Sequence, residues 1–76
     1  MDIDKILEDL AKLGIYVNKD KVYAMKYTMY DDGTELYMVF FDNYKIYVKK
    51  PPNKSPKTYT YPIYEERKTR KTPQNQ

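Results

Sequence analysis

The chain has 76 residues, no cysteine, no histidine and a net charge of +3 at neutral pH. This length allows one domain with a small core, and the composition excludes disulfides and any zinc site built from Cys and His. No segment approaches the roughly 18 apolar residues of a membrane-spanning helix, and the N-terminus is acidic, so we expect a cytoplasmic protein without a membrane partner.

Charge divides the chain into two halves. Residues 1–44 hold five lysines against nine acidic residues, a net charge of −4. Residues 45–76 hold nine lysines and arginines against two glutamates, a net charge of +7. A basic half of this kind favours polyanionic partners.

Residues 2–13 have the pattern of an amphipathic helix. Their apolar residues recur at three- and four-residue spacing and form one stripe: Ile3, Ile6, Leu7, Leu10 and Leu13. Asp2 can cap the free amides at the start, and Lys5 and Asp9 are an oppositely charged pair at four-residue spacing. Gly14 can end the helix in the left-handed conformation.

Two β-prone runs, 22–30 and 35–41, flank the turn signal Asp32-Gly33 and predict a hairpin. A two-residue type I′ loop at Asp32-Gly33 places six side chains on one sheet face, namely Met25, Tyr27, Met29, Leu36, Met38 and Phe40. We expect the helix to cover this face, which leaves Tyr37, Val39 and Phe41 on the opposite one.

Residues 44–50 predict a third strand, in which Tyr44, Ile46 and Val48 alternate with Lys45, Tyr47 and Lys49. A two-residue loop at Asp42-Asn43 would set the lysines beside the residues expected to be covered. A three-residue loop would instead pair Phe40 with Ile46 and Met38 with Val48. Because buried lysines are costly, the three-residue loop is favoured.

Residues 58–64, after the proline-broken loop 51–57, could form a fourth strand with Tyr59, Tyr61 and Ile63 facing inward. Pro62 lacks an N–H, so this strand should lie at a sheet edge. Residues 65–76 have no apolar side chain beyond Pro and predict a flexible basic tail.

These elements predict the α+β class: one N-terminal helix packed on one face of a three- to four-stranded antiparallel sheet. Residues 1–64 would form the single domain. One helix covers only one face, so the other face should be exposed to solvent.

The exposed face and the basic half suggest a nucleic-acid-binding module, with single strands favoured. Aromatic rings stack on unpaired bases, and Lys or Arg neutralises phosphates. The candidate binding residues combine both chemistries: Lys26, Tyr30, Tyr37, Lys45, Tyr47, Lys49, Lys50, Lys54, Arg67, Lys68, Arg70 and Lys71.

A protein-directed binder, for example a viral or plasmid inhibitor acting on a host protein, is the alternative. Exposed apolar side chains at Val39 and Phe41 favour a protein interface. Tyr59 and Tyr61 on the edge strand could contribute to it, and a homodimer is compatible with both hypotheses.

Catalysis is not expected. Neither His nor Cys is present to act as base or nucleophile, and the one serine, Ser55, lies in the proline-broken loop. Asp31, Asp32 and Asp42 could approach one another at the hairpin ends, but we expect neither a metal site nor a cofactor.

Overall fold

The computed structural model describes residues 2–63, which form one helix and a four-stranded antiparallel sheet. The strands are neighbours in chain order, and the elements run as follows: α1 (Ile3–Lys12), a 3₁₀ turn (Lys19–Lys21), β1 (Ala24–Met29), β2 (Glu35–Phe40), β3 (Tyr44–Lys50) and β4 (Lys57–Pro62). The predicted α+β fold is confirmed, including its fourth strand. The predicted tail, 65–76, lies outside the described residues.

Both ends of α1 are capped as the sequence predicts. The Asp2 side chain accepts a hydrogen bond from the N–H two residues further on, at 2.9 Å. Gly14 takes φ +84°, and the Ile15 N–H donates to the Leu10 carbonyl at 2.9 Å, which is the Schellman arrangement. None of the helical segments in residues 2–63 has the length and apolar composition that a bilayer crossing requires.

The β1–β2 loop contains three residues, 31–33, so the predicted two-residue type I′ turn is wrong. The Tyr30 N–H donates to the Thr34 carbonyl at 2.8 Å, and Gly33 follows the turn in the left-handed region at φ +92°. The Asp32 side chain accepts the Thr34 N–H at 2.9 Å. A turn closed by a left-handed glycine is the usual three-residue hairpin, and this side-chain hydrogen bond holds it.

The extra loop residue turns β2 over, because a one-residue shift of register moves every side chain to the other face. Tyr37 and Val39, at 3% and 0% exposure, pack with Val48 against Ile6 and Leu10 of α1. The prediction that Tyr37, Val39 and Phe41 face solvent is therefore wrong, and Phe41 is half-buried against the same core. Of the residues predicted to be covered, those of β2 lie on the opposite face: Leu36, Met38 and Phe40. Those of β1, Met25 and Tyr27, pack against the core as predicted.

The β2–β3 loop has two residues, Asp42 and Asn43, closed by a 2.8 Å hydrogen bond from the Phe41 N–H to the Tyr44 carbonyl. The predicted three-residue loop is wrong. That prediction depends on the expected orientation of β2, in which a two-residue loop puts the β3 lysines on the covered face. With β2 turned over, the same loop puts them on the uncovered face. The short loop therefore buries no ammonium group.

Strand β4 lies at the edge of the sheet, as Pro62 predicts. Its register pairs Tyr59 with Tyr47 and Tyr61 with Lys45. Both tyrosines therefore share the uncovered face with the β3 residues, and the prediction that they face inward is wrong. All six residues of β4 are exposed.

A polar group lies within the covered face. The Tyr27 hydroxyl donates to Glu35 Oε2 at 2.7 Å, and the Tyr27 and Tyr37 rings lie 5.0 Å apart. The hydrogen bond to Glu35, with burial, raises the pKa of Tyr27 to about 12. Burial raises the pKa of Tyr37 to about 12 as well, so both phenols stay neutral far above physiological pH.

Candidate nucleic-acid interface

The sheet face turned away from α1 is hereafter the outer face. It is formed by alternate residues of all four strands, aligned across the sheet by their register: Ala24, Lys26, Thr28, Leu36, Met38, Phe40, Lys45, Tyr47, Lys49, Lys57, Tyr59 and Tyr61. No helix of the described chain covers this face.

The side-chain chemistry of the outer face differs between its strands. Its β2 positions, Leu36, Met38 and Phe40, are apolar and half-buried. The β3 and β4 positions combine rings with ammonium groups, so that one row across these strands pairs Lys45 with Tyr61 and the next pairs Tyr47 with Tyr59. An apolar strip therefore runs beside an aromatic and basic strip.

The rings on β3 and β4 are packed against one another and against a lysine. Tyr47 and Tyr61 meet edge to face with ring centroids 5.2 Å apart. Lys45 Nζ lies 5.4 Å from the Tyr47 ring centroid and 5.9 Å from that of Phe40. This cation–π geometry holds the charge at the surface while the aliphatic stem of the lysine covers part of the rings.

Two open depressions adjoin on this strip. One is lined by four residues of β3 and β4: Lys45, Tyr47, Tyr61 and Pro62. The other extends toward the β1–β2 loop: Tyr30, Leu36, Tyr47, Lys49, Tyr59 and Tyr61. Because Tyr47 and Tyr61 border both, their rings form a ridge with a shallow hollow on either side. Tyr59 and Tyr61 remain 41% and 43% exposed, which leaves ring surface free for a ligand.

The charge of the outer face is wholly positive. Four of its positions are lysine, and none is Asp or Glu: Lys26, Lys45, Lys49 and Lys57. The ion pairs within residues 2–63 instead involve α1, where Asp9 and Asp4 are held by Lys5 and Lys19 at 2.9 and 2.8 Å. No lysine of the outer face is neutralised by an ion pair within the described chain.

Lys49 and Lys57 are direct cross-strand neighbours. Like charges at this position are destabilising, because the two Cα atoms of such a pair are only about 5.5 Å apart. Lys49 also interacts electrostatically with Asp32 in the β1–β2 loop. Hydrogen bonding from Thr34, with a smaller effect of Lys49, keeps the pKa of Asp32 below its usual value.

The predicted nucleic-acid residues are only partly brought together. The outer face holds Lys26, Lys45, Tyr47 and Lys49, and Tyr30 borders one depression. Tyr37 is buried. Lys50 lies on the covered side, where its Nζ donates to the Pro51 carbonyl at 3.0 Å, and Lys54 lies in the exposed loop after β3. The four remaining candidates lie outside the described residues: Arg67, Lys68, Arg70 and Lys71.

The residues predicted for a protein interface do not lie together on one surface. Val39 is in the core, and Phe41 stacks on Tyr44 with ring centroids 4.6 Å apart. Tyr59 and Tyr61 join the outer face. Sequence reasoning missed the apolar positions of β2 and also Lys57, which it assigned to a loop. Because Pro62 fixes which residues of β4 bond to β3, alternation along the strand places Lys57 on the same face as Tyr59 and Tyr61.

Residues 2–63 contain no cluster of three or more acidic side chains arranged to hold a metal ion. Comparisons with protein-family models, curated proteins and solved structures return no match for this chain. The outer face is therefore the basis for a functional proposal.

Proposed function

We propose that this protein is a non-enzymatic module that binds single-stranded nucleic acid on its outer face. One observation carries the proposal: the exposed rings of Tyr59 and Tyr61 share the outer face with four lysines, and no carboxylate occupies any of its positions. Phosphates require cations, and unpaired bases require flat π surfaces, so this combination suits one ligand class.

The Lys49–Lys57 pair supports a polyanionic ligand. Two ammonium groups on facing positions repel each other in the free protein. A phosphate between them would offset this repulsion, and that gain would contribute to the binding free energy. A neutral or basic partner would offer no such gain.

Single strands suit the surface better than duplexes. Stacking on Tyr59 or Tyr61 requires a base whose face is free, and duplex bases are already stacked. Within residues 2–63, no helix protrudes from the outer face to enter a major groove. Each stacked base would contribute about 1–3 kcal/mol, without strong sequence preference.

Fluorescence anisotropy with labelled single-stranded and duplex oligonucleotides tests the proposal across a range of salt concentrations. We expect tighter binding of the single strand, with a slope of log K against log salt near −3 if the four lysines each contact one phosphate. Cations of the segment 67–71 would steepen this slope. Absence of binding to either ligand at low salt would refute the proposal.

A matched pair of tyrosine variants locates the surface. Tyr61→Ala removes a ring from the ridge and should weaken binding about 5- to 100-fold. Tyr16→Ala removes a ring that is 82% exposed but lies in the segment after α1, so it should bind as the wild type does. Equal losses in the two variants would contradict the assignment of the outer face.

A protein-directed binder or inhibitor is the second candidate, and the apolar strip on β2 is the observation that favours it. Leu36, Met38 and Phe40 lie together at the centre of the outer face with lysines around them, which is the distribution of an interface core and rim. A partner of this class would present an apolar surface with an acidic border. Its binding would persist in salt that abolishes oligonucleotide binding, and Met38→Ser would weaken it more than Tyr61→Ala.

A further inference from the structure

One edge of β4 pairs with no other strand in the described chain. Strand β4 pairs only with β3, and each of its six residues, Lys57–Pro62, is exposed. Unpaired edge strands attract another strand unless charge, proline or a covering element prevents it. In β4 the only charged residue is Lys57, at one end, and Pro62 lies at the other.

The backbone groups of this edge can be assigned from the ladder. The Ile63 N–H donates to the Asn43 carbonyl of the β2–β3 loop at 2.9 Å. Because hydrogen bonding alternates along an antiparallel strand, Tyr61 and Tyr59 also bond toward β3, whereas Thr58 and Thr60 point their N–H and C=O groups away from the sheet. The outward position of Pro62 has no N–H to leave unpaired.

This edge is complementary to itself. If a two-fold axis passes beside Tyr59, Thr58 of one copy lies opposite Thr60 of the other. The four outward N–H groups of the two copies then meet four outward carbonyls. Lys57 faces Tyr61 of the second copy instead of another lysine, so no like charges are opposed.

Face-to-face pairing of two copies lacks this complementarity. It would set the four lysines of one outer face against those of another, with no carboxylate between them. Repulsion of this kind disfavours a sandwich of two outer faces. Edge pairing keeps the two faces side by side, where both remain accessible.

We propose that two copies of this chain associate antiparallel through their β4 edges. The product is one continuous eight-stranded sheet with two-fold symmetry, whose outer faces join into one longer aromatic and basic surface. The edge of a six-residue strand buries less area than a standard interface, so association should be weak, in the micromolar range or above. This inference does not depend on the ligand of the outer face.

Sedimentation equilibrium of the full chain without nucleic acid, from about 1 to about 500 µM, tests the proposal. The mass should rise from 9.2 kDa toward twice that value with increasing concentration. Thr60→Pro deletes one outward N–H without removing a bond to β3, and it should stay monomeric at every concentration. Thr60→Val keeps the N–H and the branched shape, so it should dimerise as the wild type does.

Two results would overturn the proposal: a wild type that keeps a mass of 9.2 kDa throughout, or a Thr60→Pro variant that dimerises as well as Thr60→Val. If circular dichroism shows that Thr60→Pro is unfolded, a charge pair replaces it. Thr58→Lys/Thr60→Lys and Thr58→Glu/Thr60→Glu chains should each be monomeric alone and should form a 1:1 heterodimer when mixed. Failure of the mixture to associate would equally contradict β4 pairing.

Discussion

The orientation of β2 decides which surface is free to bind, and alanine substitution can test it. Val39 is fully buried beneath α1, whereas Met38 is half-buried on the outer face. Val39→Ala deletes two methyl groups from the core, about 1.6 kcal/mol of transfer free energy at 0.8 kcal/mol per carbon, before the cost of the cavity is added. We expect a total loss of about 2–3 kcal/mol.

Urea unfolding followed by circular dichroism would measure these losses. For a domain of this size a loss of about 2–3 kcal/mol also lowers Tm by about 10–20 °C. Met38→Ala removes a larger but partly hydrated side chain and should cost about 1 kcal/mol or less. Val48 is buried on the covered face whichever way β2 is oriented, so Val48→Ala is the positive control. If Met38→Ala costs more than Val39→Ala, the described orientation of β2 is incorrect.

Three local features of the structure can each be tested by a single substitution. Gly33 has φ +92°, and a Cβ added there would meet Pro52 at 3.7 Å, an ordinary van der Waals distance. Gly33→Ala should therefore lose about 1–2 kcal/mol through backbone strain alone, and Gly33→Asn less. Equal stability of all three proteins would contradict the three-residue loop. The folded-state pKa of Tyr27 is about 12, above the ordinary value of 10. Its hydrogen bond to Glu35 therefore stabilises the fold below pH 10, and this contribution is lost as pH rises from 10 to 12. The free energy of unfolding should fall less over this range in Tyr27→Phe than in the wild type, and an equal fall in both proteins would refute the role of this bond. Lys49→Gln should make the slope of log K against log salt for oligonucleotide binding shallower by about 0.7, whereas Lys12→Gln, on α1, should leave this slope unchanged. A larger change of slope in Lys12→Gln than in Lys49→Gln would place the ligand elsewhere.

Local sequence signals predicted the helix and the set of strands. The α1 stripe, the Asp2 cap and the left-handed Gly14 depend on contacts within a few residues, so the pattern alone specifies them. In β3, Ile46 and Val48 alternate with polar residues, and the structure places them inward as predicted. The edge position of β4 followed from the missing N–H of Pro62.

The orientation of β2 could not be read in the same way. Its sequence, ELYMVFF, has large apolar side chains at both parities, so alternation does not distinguish the two faces. The prediction then depended on loop length alone, and Asp32-Gly33 fits both a two-residue turn and the last two positions of a three-residue turn. Because the predicted β1–β2 loop was one residue too short, Tyr37 and Val39 were predicted to face outward. The β2–β3 loop then had to be predicted one residue too long to keep the β3 lysines exposed.

The orientation of β4 could, in contrast, be inferred from Pro62 together with the pairing of β2 and β3. Pro62 cannot donate to β3, so Tyr59 and Tyr61 must occupy the hydrogen-bonded positions. Those positions meet the β3 residues that do not bond to β2, which are Lys45, Tyr47 and Lys49. This reasoning requires the β2–β3 register first, which explains why a single-strand pattern assigned the tyrosines inward.

The most direct test of the outer face as the binding surface is an amide chemical-shift map of the isotope-labelled full chain, titrated with a short single-stranded oligonucleotide. The largest shifts should fall on Lys45–Lys49 and Tyr59–Tyr61, and Ile3–Lys12 should stay unperturbed. Shifts concentrated on α1 would refute binding at the outer face, as would shifts confined to 64–76 with β3 and β4 unchanged.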